Sequence, residues 1–229
     1  MKVCIALDLS TVEENIALAK KISGMDVWLK VGLRSFIRNG APLINSLHDI
    51  SGDFKIFLDL KLHDIPNTMA DAAESISCLG VDMFNIHASA GKEAMACVME
   101  RVRQMANPPY VLAVTALTSF DKKGFKAVYG SSLEEKAVDF AKDAYESGLN
   151  GVVCSVFESA LIKSYTSQNF LTLTPGIRPF GEEVGDQKRV ATIKEAKAQE
   201  CDFIVLGRPI YQSDDPRGVV NRIFDEMAK

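Results

Sequence analysis

The sequence predicts an α/β protein built as a single closed (β/α)8 barrel, and three observations lead there. Short β-rich runs recur eight times along the 229 residues. Longer amphipathic stretches separate them, which implies parallel strands joined by crossover helices. The first run is followed by "DLST" and not by a glycine-rich phosphate fingerprint, which disfavours an open, doubly wound sheet. Eight strand–helix units in about 230 residues suit a compact barrel.

In chain order the strand candidates are "VCIALDL" (3–9), "DVWLKVGL" (26–33), "FKIFLDLKL" (54–62), "DMFNIHA" (82–88), "YVLAVTAL" (110–117), "GVVCSV" (151–156), "FLTLTPG" (170–176) and "DFIVLGR" (202–208). Between the first two, "STVEENIALAKKI" places Ser10 and Glu13 at capping-box spacing and Val12, Ile16, Ala19 and Ile22 on one helical face. "SLEEKAVDFAKDAYESG" repeats the design and ends on Gly148, a helix stop. No interdomain linker or low-complexity segment interrupts the alternation, so residues 1–229 read as one domain. The longest irregular stretch, "GIRPFGEEVGDQ" at 176–187, has the length, glycines and charges of a mobile active-site loop.

Composition excludes several classes. Hydrophobic residues make up 47% and charged residues 24%, an ordinary soluble balance. No apolar run approaches the ~18 residues that span a bilayer, and "MKVCIALDLS" reads as a first strand rather than a signal peptide. Cys4, Cys78, Cys97, Cys154 and Cys201 are scattered, odd in number and without a CxxC pair. That pattern disfavours a disulfide framework or zinc site and fits a reducing cytoplasm. A net charge of −4 disfavours nucleic-acid binding, whereas a small anion needs only a few local cations.

Chemistry in such barrels sits at the C-terminal strand ends, and the polar residues gather there. Asp8 ends the first candidate strand, Lys30 lies in the second, and Asp59 and Lys61 end the third with Asp64 just beyond. Asn85 and His87 end the fourth, Thr115 and Thr118 the fifth, and Arg178 and Arg208 follow the seventh and eighth. Asp59 and Lys61, two apart, share a strand face opposite Leu58, Leu60 and Leu62. They point into the barrel mouth if the leucines pack beneath the helices; the plain alternative is an internal ion pair. Asp64 precedes Pro66, Asn67 and Thr68 at the start of a helix, so it reads either as a site carboxylate or as a helix cap. Gly207 and Arg208 in "VLGRPI" suit a phosphate, since glycine admits the backbone amide and arginine offers a bidentate fork. Arg178 and Gln187 in the long loop are placed to join them.

Two flanking carboxylates favour the charged form of Lys61, the opposite of what a Schiff-base lysine needs. The ammonium also competes with any metal for Asp59 and Asp64. The residues therefore point to a metal-free reaction on a phosphorylated substrate, with a carbanion-like transition state and Lys61 as general acid. His63 and His87 read as neutral structural groups with no metal spacing between them, and Trp28 reads as core.

The Asp-x-Lys-x-x-Asp array in "DLKLHDIPNT", with "LTS" (117–119), "TPGIRP" (174–179), "GDQKR" (185–189) and "GRPI" (207–210), resembles the orotidine 5′-phosphate decarboxylase family. The motifs run in order from Asp8 to Arg208; "DIPNT" and "TPGIRP" are specific, while the charged spacing is shared with sister sugar-phosphate decarboxylases and aldolases. The resemblance implies conversion of orotidine 5′-phosphate to uridine 5′-phosphate and CO2, the last step of de novo pyrimidine synthesis. It also implies a homodimer of (β/α)8 barrels with no metal or organic cofactor. By the match Lys61 is the proton donor to C6, Asp59 lies beside the substrate carboxylate, and Lys30 bridges Asp59 and the ribose, which Asp8 also contacts. Leu60, Leu62, His63, Ile65, Pro66 and Asn67 border the substrate, and Asp64 and Thr68 cross into the partner's site, making each site composite. Thr118 reads the pyrimidine edge, and Arg178, Gln187, Gly207 and Arg208 hold the phosphate. The rivals are a magnesium-assisted sister enzyme and a non-catalytic nucleotide sensor on the same barrel.

Overall fold

The computed structural model describes residues 1–181 and 189–229; Gln187 and the rest of 182–188 in the expected loop lie outside the described residues. Eight strands, β1 (Lys2–Ala6), β2 (Val27–Gly32), β3 (Lys55–Leu62), β4 (Met83–His87), β5 (Tyr110–Val114), β6 (Gly151–Val153), β7 (Leu171–Thr174) and β8 (Phe203–Leu206), close into one parallel barrel in sequence order. β8 pairs back on β1 with Val3 opposite Ile204. The predicted strands are all present, and every one except β3 ends earlier than expected. Of the polar residues expected at strand ends, Lys30, Asp59, Lys61, Asn85 and His87 lie within strands, and Asp8, Thr115 and Thr118 stand in the loops just above them.

The outer ring comprises α1 (Val12–Lys21), α2 (Leu33–Ile50), α3 (Pro66–Ser77), α4 (Lys92–Val102), α5 (Lys122–Tyr129), α6 (Leu133–Glu146), α7 (Ser159–Tyr165), α8 (Ile193–Ala198), α9 (Arg208–Tyr211) and α10 (Pro216–Ala228). None of these is long and apolar enough to cross a membrane. α5 and α9 are additions to the simple alternation. α5 is bounded by Asp121, whose carboxylate accepts from the Gly124 amide, and by left-handed Gly130. α2 is broken at Gly40, whose φ of 57° lies two residues before Pro42. The capping box of α1 is Thr11 with Glu14, one residue later than the Ser10–Glu13 pair the spacing suggested. Thr11 is the last extended residue before the helix, so its hydroxyl and not that of Ser10 meets the third amide. α6 ends before Gly148, whose φ is 81°.

Strand alternation divides the core into two layers. Val3, Ile5, Leu29, Val31, Leu58, Phe84, Ile86, Val111 and Ile204 face outward and pack under the helices. Cys4, Ala6, Trp28, Phe57, Met83, Leu112, Leu173, Phe203 and Val205 fill the barrel interior. Trp28 is core as expected, its ring edge-on to Phe203 at 5.1 Å. All five cysteines are free thiols. We expect Phe84→Ala, which empties a fully buried outer-core position, to cost about 3–5 kcal/mol. Thr11→Ala should cost only about 1 kcal/mol. Urea unfolding midpoints of the two variants, ranked against the unsubstituted protein, check both.

Candidate active site

The interior-facing parity of each strand carries past the apolar plug into a charged mouth. On β2, Trp28 lies below Lys30; on β3, Phe57 lies below Asp59 and Lys61; on β4, Met83 lies below Asn85 and His87. The result is a chain of alternating charge. Lys30 Nζ is 3.2 Å from Asp8 Oδ1 and 3.5 Å from Asp59 Oδ2, and Lys61 Nζ is 2.5 Å from Asp59 Oδ1. The side chains of Lys30 and Asp59 are only 11% and 14% exposed, against 46% for Asp8 and 36% for Lys61. The dry centre of the chain is therefore the Lys30–Asp59 pair. Burial alone would push the Lys30 ammonium down, but Asp59 and Asp8 outweigh it and hold Lys30 above the ordinary lysine value. Burial likewise pushes Asp59 up, and Lys30, Lys61 and the Asn85 amide together bring it below the ordinary carboxylate range.

β3 does not keep strict alternation to its end. Its pairing with β4 jumps from Leu58–Phe84 to Leu62–Ile86, and Lys61 adopts a φ of 57°. A side-chain-bearing residue in that left-handed region costs about 1 kcal/mol or more. The expected division of faces survives the irregularity: Asp59 and Lys61 line the mouth while Leu58, Leu60 and Leu62 pack outward. Among the described residues Lys61 pairs with one carboxylate of its own chain, that of Asp59, not two. Asp64 is exposed and its carboxylate accepts from the Ile65 amide. Asp64 is not the cap of α3 either: Ile65 holds that position without a side-chain bond, and Pro66 is the first helical residue.

The mouth opens into a cavity of about 670 Å³, within the range that encloses small ligands. Asp8, Lys30, Asp59, Lys61, Thr118, Arg178, Gly207 and Arg208 line it. Five cations and two carboxylates among its described lining residues make the cavity electropositive, although the chain as a whole is acidic. Arg178 is buried, donates to the Ile177 carbonyl at 3.0 Å, and follows Gly176, whose φ of 87° requires glycine. The base of that loop is fastened by a bridge between Ile177 and Ala191. Gly207, at the end of the adjacent β8, is closely packed: a Cβ there would lie 3.3 Å from the Tyr211 ring and 3.6 Å from Ala6.

Leu60, Leu62, His63, Asp64, Ile65, Pro66, Asn67 and Thr68 do not line this cavity within one chain. They form the end of β3 and the start of α3, where His63, Asp64, Ile65, Asn67 and Thr68 are exposed. His63 stacks on His87 with ring centroids 5.4 Å apart. Burial, then His63 and Lys61, depress the His87 imidazole to about 4, so it is neutral near pH 7. Thr115 is buried and donates to the Val153 carbonyl, away from the cavity. Sequence reasoning passed over Arg34, which lines the mouth and donates to the carbonyls of Asp8 at 2.6 Å and Leu9 at 2.8 Å. Its position just past the end of β2 was the available signal. Tyr211 and Phe57 were also passed over.

Residues 1–223 match the family model described as "Orotidine 5'-phosphate decarboxylase / HUMPS family". A protein of a Nitratiruptor species named orotidine 5′-phosphate decarboxylase is 62% identical over 227 residues, covering 99% of this chain and 100% of that one. A Campylobacter jejuni protein of the same name is 58% identical over 227 residues, with the same coverage. The crystal structure of orotidine 5′-phosphate decarboxylase from Lactobacillus acidophilus superimposes with a TM-score of 0.86 at 34% identity, covering 100% of this chain and 99% of that chain. With matches that run essentially end to end, the chain belongs to the orotidine 5′-phosphate decarboxylase / HUMPS family.

Proposed function

We propose that the protein decarboxylates orotidine 5′-phosphate to uridine 5′-phosphate and CO2, the last step of pyrimidine nucleotide (UMP) synthesis. One observation carries the reading: the Lys61 ammonium lies on Asp59 at 2.5 Å inside an electropositive cavity of nucleotide size. Loss of CO2 leaves an electron pair on C6 of the pyrimidine. The Lys61 Nζ–H bond breaks toward that carbon and the C6–H bond forms, so Lys61 is the general acid. Asp59 lies beside the departing carboxylate, and Lys30 holds Asp59 on one side and the ribose end, with Asp8, on the other. Arg178, Gly207 and Arg208 grip the 5′-phosphate, with Gln187 joining them, and Thr118 reads the pyrimidine edge. Binding energy from that remote phosphate organises the reacting centre. No metal or organic cofactor enters this scheme, because Lys61 supplies both the positive charge and the proton. That separates it from a magnesium-assisted sister activity.

The working unit on this reading is a homodimer in the cytoplasm. The largely exposed segment 63–68, with Ile65 at 67% exposure, follows β3, and α2, which follows the neighbouring β2, exposes Leu33 at 52% and Ile37 at 73%. Asp64 and Thr68 thereby enter the partner's cavity, Asp64 as the second carboxylate beside Lys61, and the 60–68 segment borders the shared substrate.

Lys61→Ala should lower turnover by at least about a hundredfold while nucleotide affinity persists, as followed by the fall in orotate absorbance and by calorimetric binding of uridine 5′-phosphate. EDTA should leave the unsubstituted rate unchanged. Undiminished turnover in Lys61→Ala removes the proton-donor assignment.

Arg208→Ala should reduce kcat/KM by about ten- to a hundredfold with an unchanged circular dichroism spectrum. Wild-type turnover in that variant refutes the phosphate assignment.

Asp64→Ala and Lys61→Ala, each nearly inactive alone, should regain about a quarter of wild-type turnover when mixed and reassociated, since half of the dimers then hold one intact site. Absence of regained activity in dimers verified as hybrid argues against a shared site.

A further inference from the structure

Asn85 sits on β4 with no solvent exposure, one interior step above Met83. Its Oδ1 accepts the Lys61 backbone N–H at 2.7 Å, and its Nδ2 donates to Asp59 Oδ1 at 2.7 Å. The orientation of the amide is decided by its partners. A backbone N–H can only donate and an ionised carboxylate can only accept. Where β3 leaves the ladder, between Leu58 and Leu62, the Asn85 side chain takes the Lys61 amide that a β4 carbonyl would otherwise have accepted. Two residues on, His87 stacks on His63 from the same face of β4.

We propose that Asn85 is a positioning residue that holds the left-handed turn at Lys61 and the Asp59 carboxylate in one geometry, so that the ammonium and the carboxylate approach the substrate together. The proposal rests on the decarboxylase reading above and adds to it the group that sets the reacting pair. The carboxamide offers a neutral donor and a neutral acceptor side by side on one short planar group. Aspartate lacks the donor, leucine lacks both, and glutamine is longer by one methylene.

The ionisable groups facing Asp59 are Lys30 from β2, Lys61 from its own strand, and Cys4 and Asp8 from β1 and the loop after it. Asn85 is the neutral member of this shell. Removing its donor leaves the carboxylate with less support for its ionised form, so Asp59 protonates at higher pH and the acid limb of kcat moves up.

Three measurements test this. In the unsubstituted protein, hydrogen exchange should find the Lys61 amide protected although it lacks a ladder partner. Asn85→Ala should lower kcat about ten- to a hundredfold while KM for orotidine 5′-phosphate stays within about threefold, because the phosphate grip is untouched. Its acid limb, and the carbon-13 titration of the Asp59 carboxyl, should shift to higher pH. Asn85→Asp, equal in shape, keeps the acceptor for Lys61 but sets a second carboxylate against Asp59, and should shift the same limb further. A freely exchanging Lys61 amide overturns the proposal, whatever the variants do. So does a folded variant with unchanged kcat and acid limb, or one whose loss lies in KM alone. If the unsubstituted protein leaves orotidine 5′-phosphate intact, the functional reading falls. The exchange and titration measurements then still judge Asn85 on their own.

Discussion

A carboxylate placed in a nearly dry barrel mouth must be paired, or it loses its charge. Asp59 meets that requirement three times over, through Lys30 from β2, Lys61 from its own strand and Asn85 from β4. Each partner comes from a different part of the sheet, so satisfying one anion also fixes the relative positions of three strand ends. The left-handed turn at Lys61 is tolerable on the same ground. Its amide is taken by Asn85, and its ammonium by the carboxylate that Asn85 also supports. Disturbing any one of these groups releases the others.

The alternation of side chains explains why the site lies directly above the core. Inward positions hold Trp28, Phe57 and Met83 low in the barrel and Lys30, Asp59 and Asn85 one step higher. The apolar layer excludes water from beneath the charged one, which strengthens every interaction among its members. It also explains the burial gradient, driest at Lys30 and Asp59 and wettest at Asp8. The cations on the opposite rim, Arg178 and Arg208, come from different loops, following β7 and β8. On the proposed reading, phosphate binding and proton transfer therefore rest on separate elements of the barrel.

Much of this was legible in the sequence, because it depends on local pattern. Eight apolar runs and the helices between them named the barrel, and strand parity put Asp59 and Lys61 on one face. What escaped depends on contacts distant in sequence or on single backbone angles. The φ of Lys61 has no signature in "FLDLKLHDIP", where a regular strand would read identically. Asn85 was visible as a polar residue at a strand end, but its service to two β3 residues more than twenty positions away was not. The capping box slipped by one residue because Ser10 and Thr11 are both cap formers and both stand three before a glutamate. Arg34 drew no reading from the sequence, because only the fold brings the Asp8 and Leu9 carbonyls to it.

The balance of charge in the quartet bears on the proposed sharing of the site between two chains. Asp8, Lys30, Asp59 and Lys61 carry two charges of each sign, and Asp59 shares its one charge between both ammoniums. On the decarboxylase reading a substrate carboxylate beside Asp59 adds an anion to a neutral set, and when CO2 leaves, that charge moves onto C6, away from Asp59, where the Lys61 proton quenches it. A further carboxylate near Lys61 would sharpen that contrast by opposing the bound substrate's charge while holding the ammonium charged until the carbanion forms. Asp64, exposed beyond the end of β3, contributes nothing of this kind to its own cavity. On the dimer reading it meets the need in the neighbouring one. The same six-residue array then serves two sites at once, Asp59 and Lys61 inward and Asp64 outward, and the turn at Lys61 is where the chain changes from one to the other.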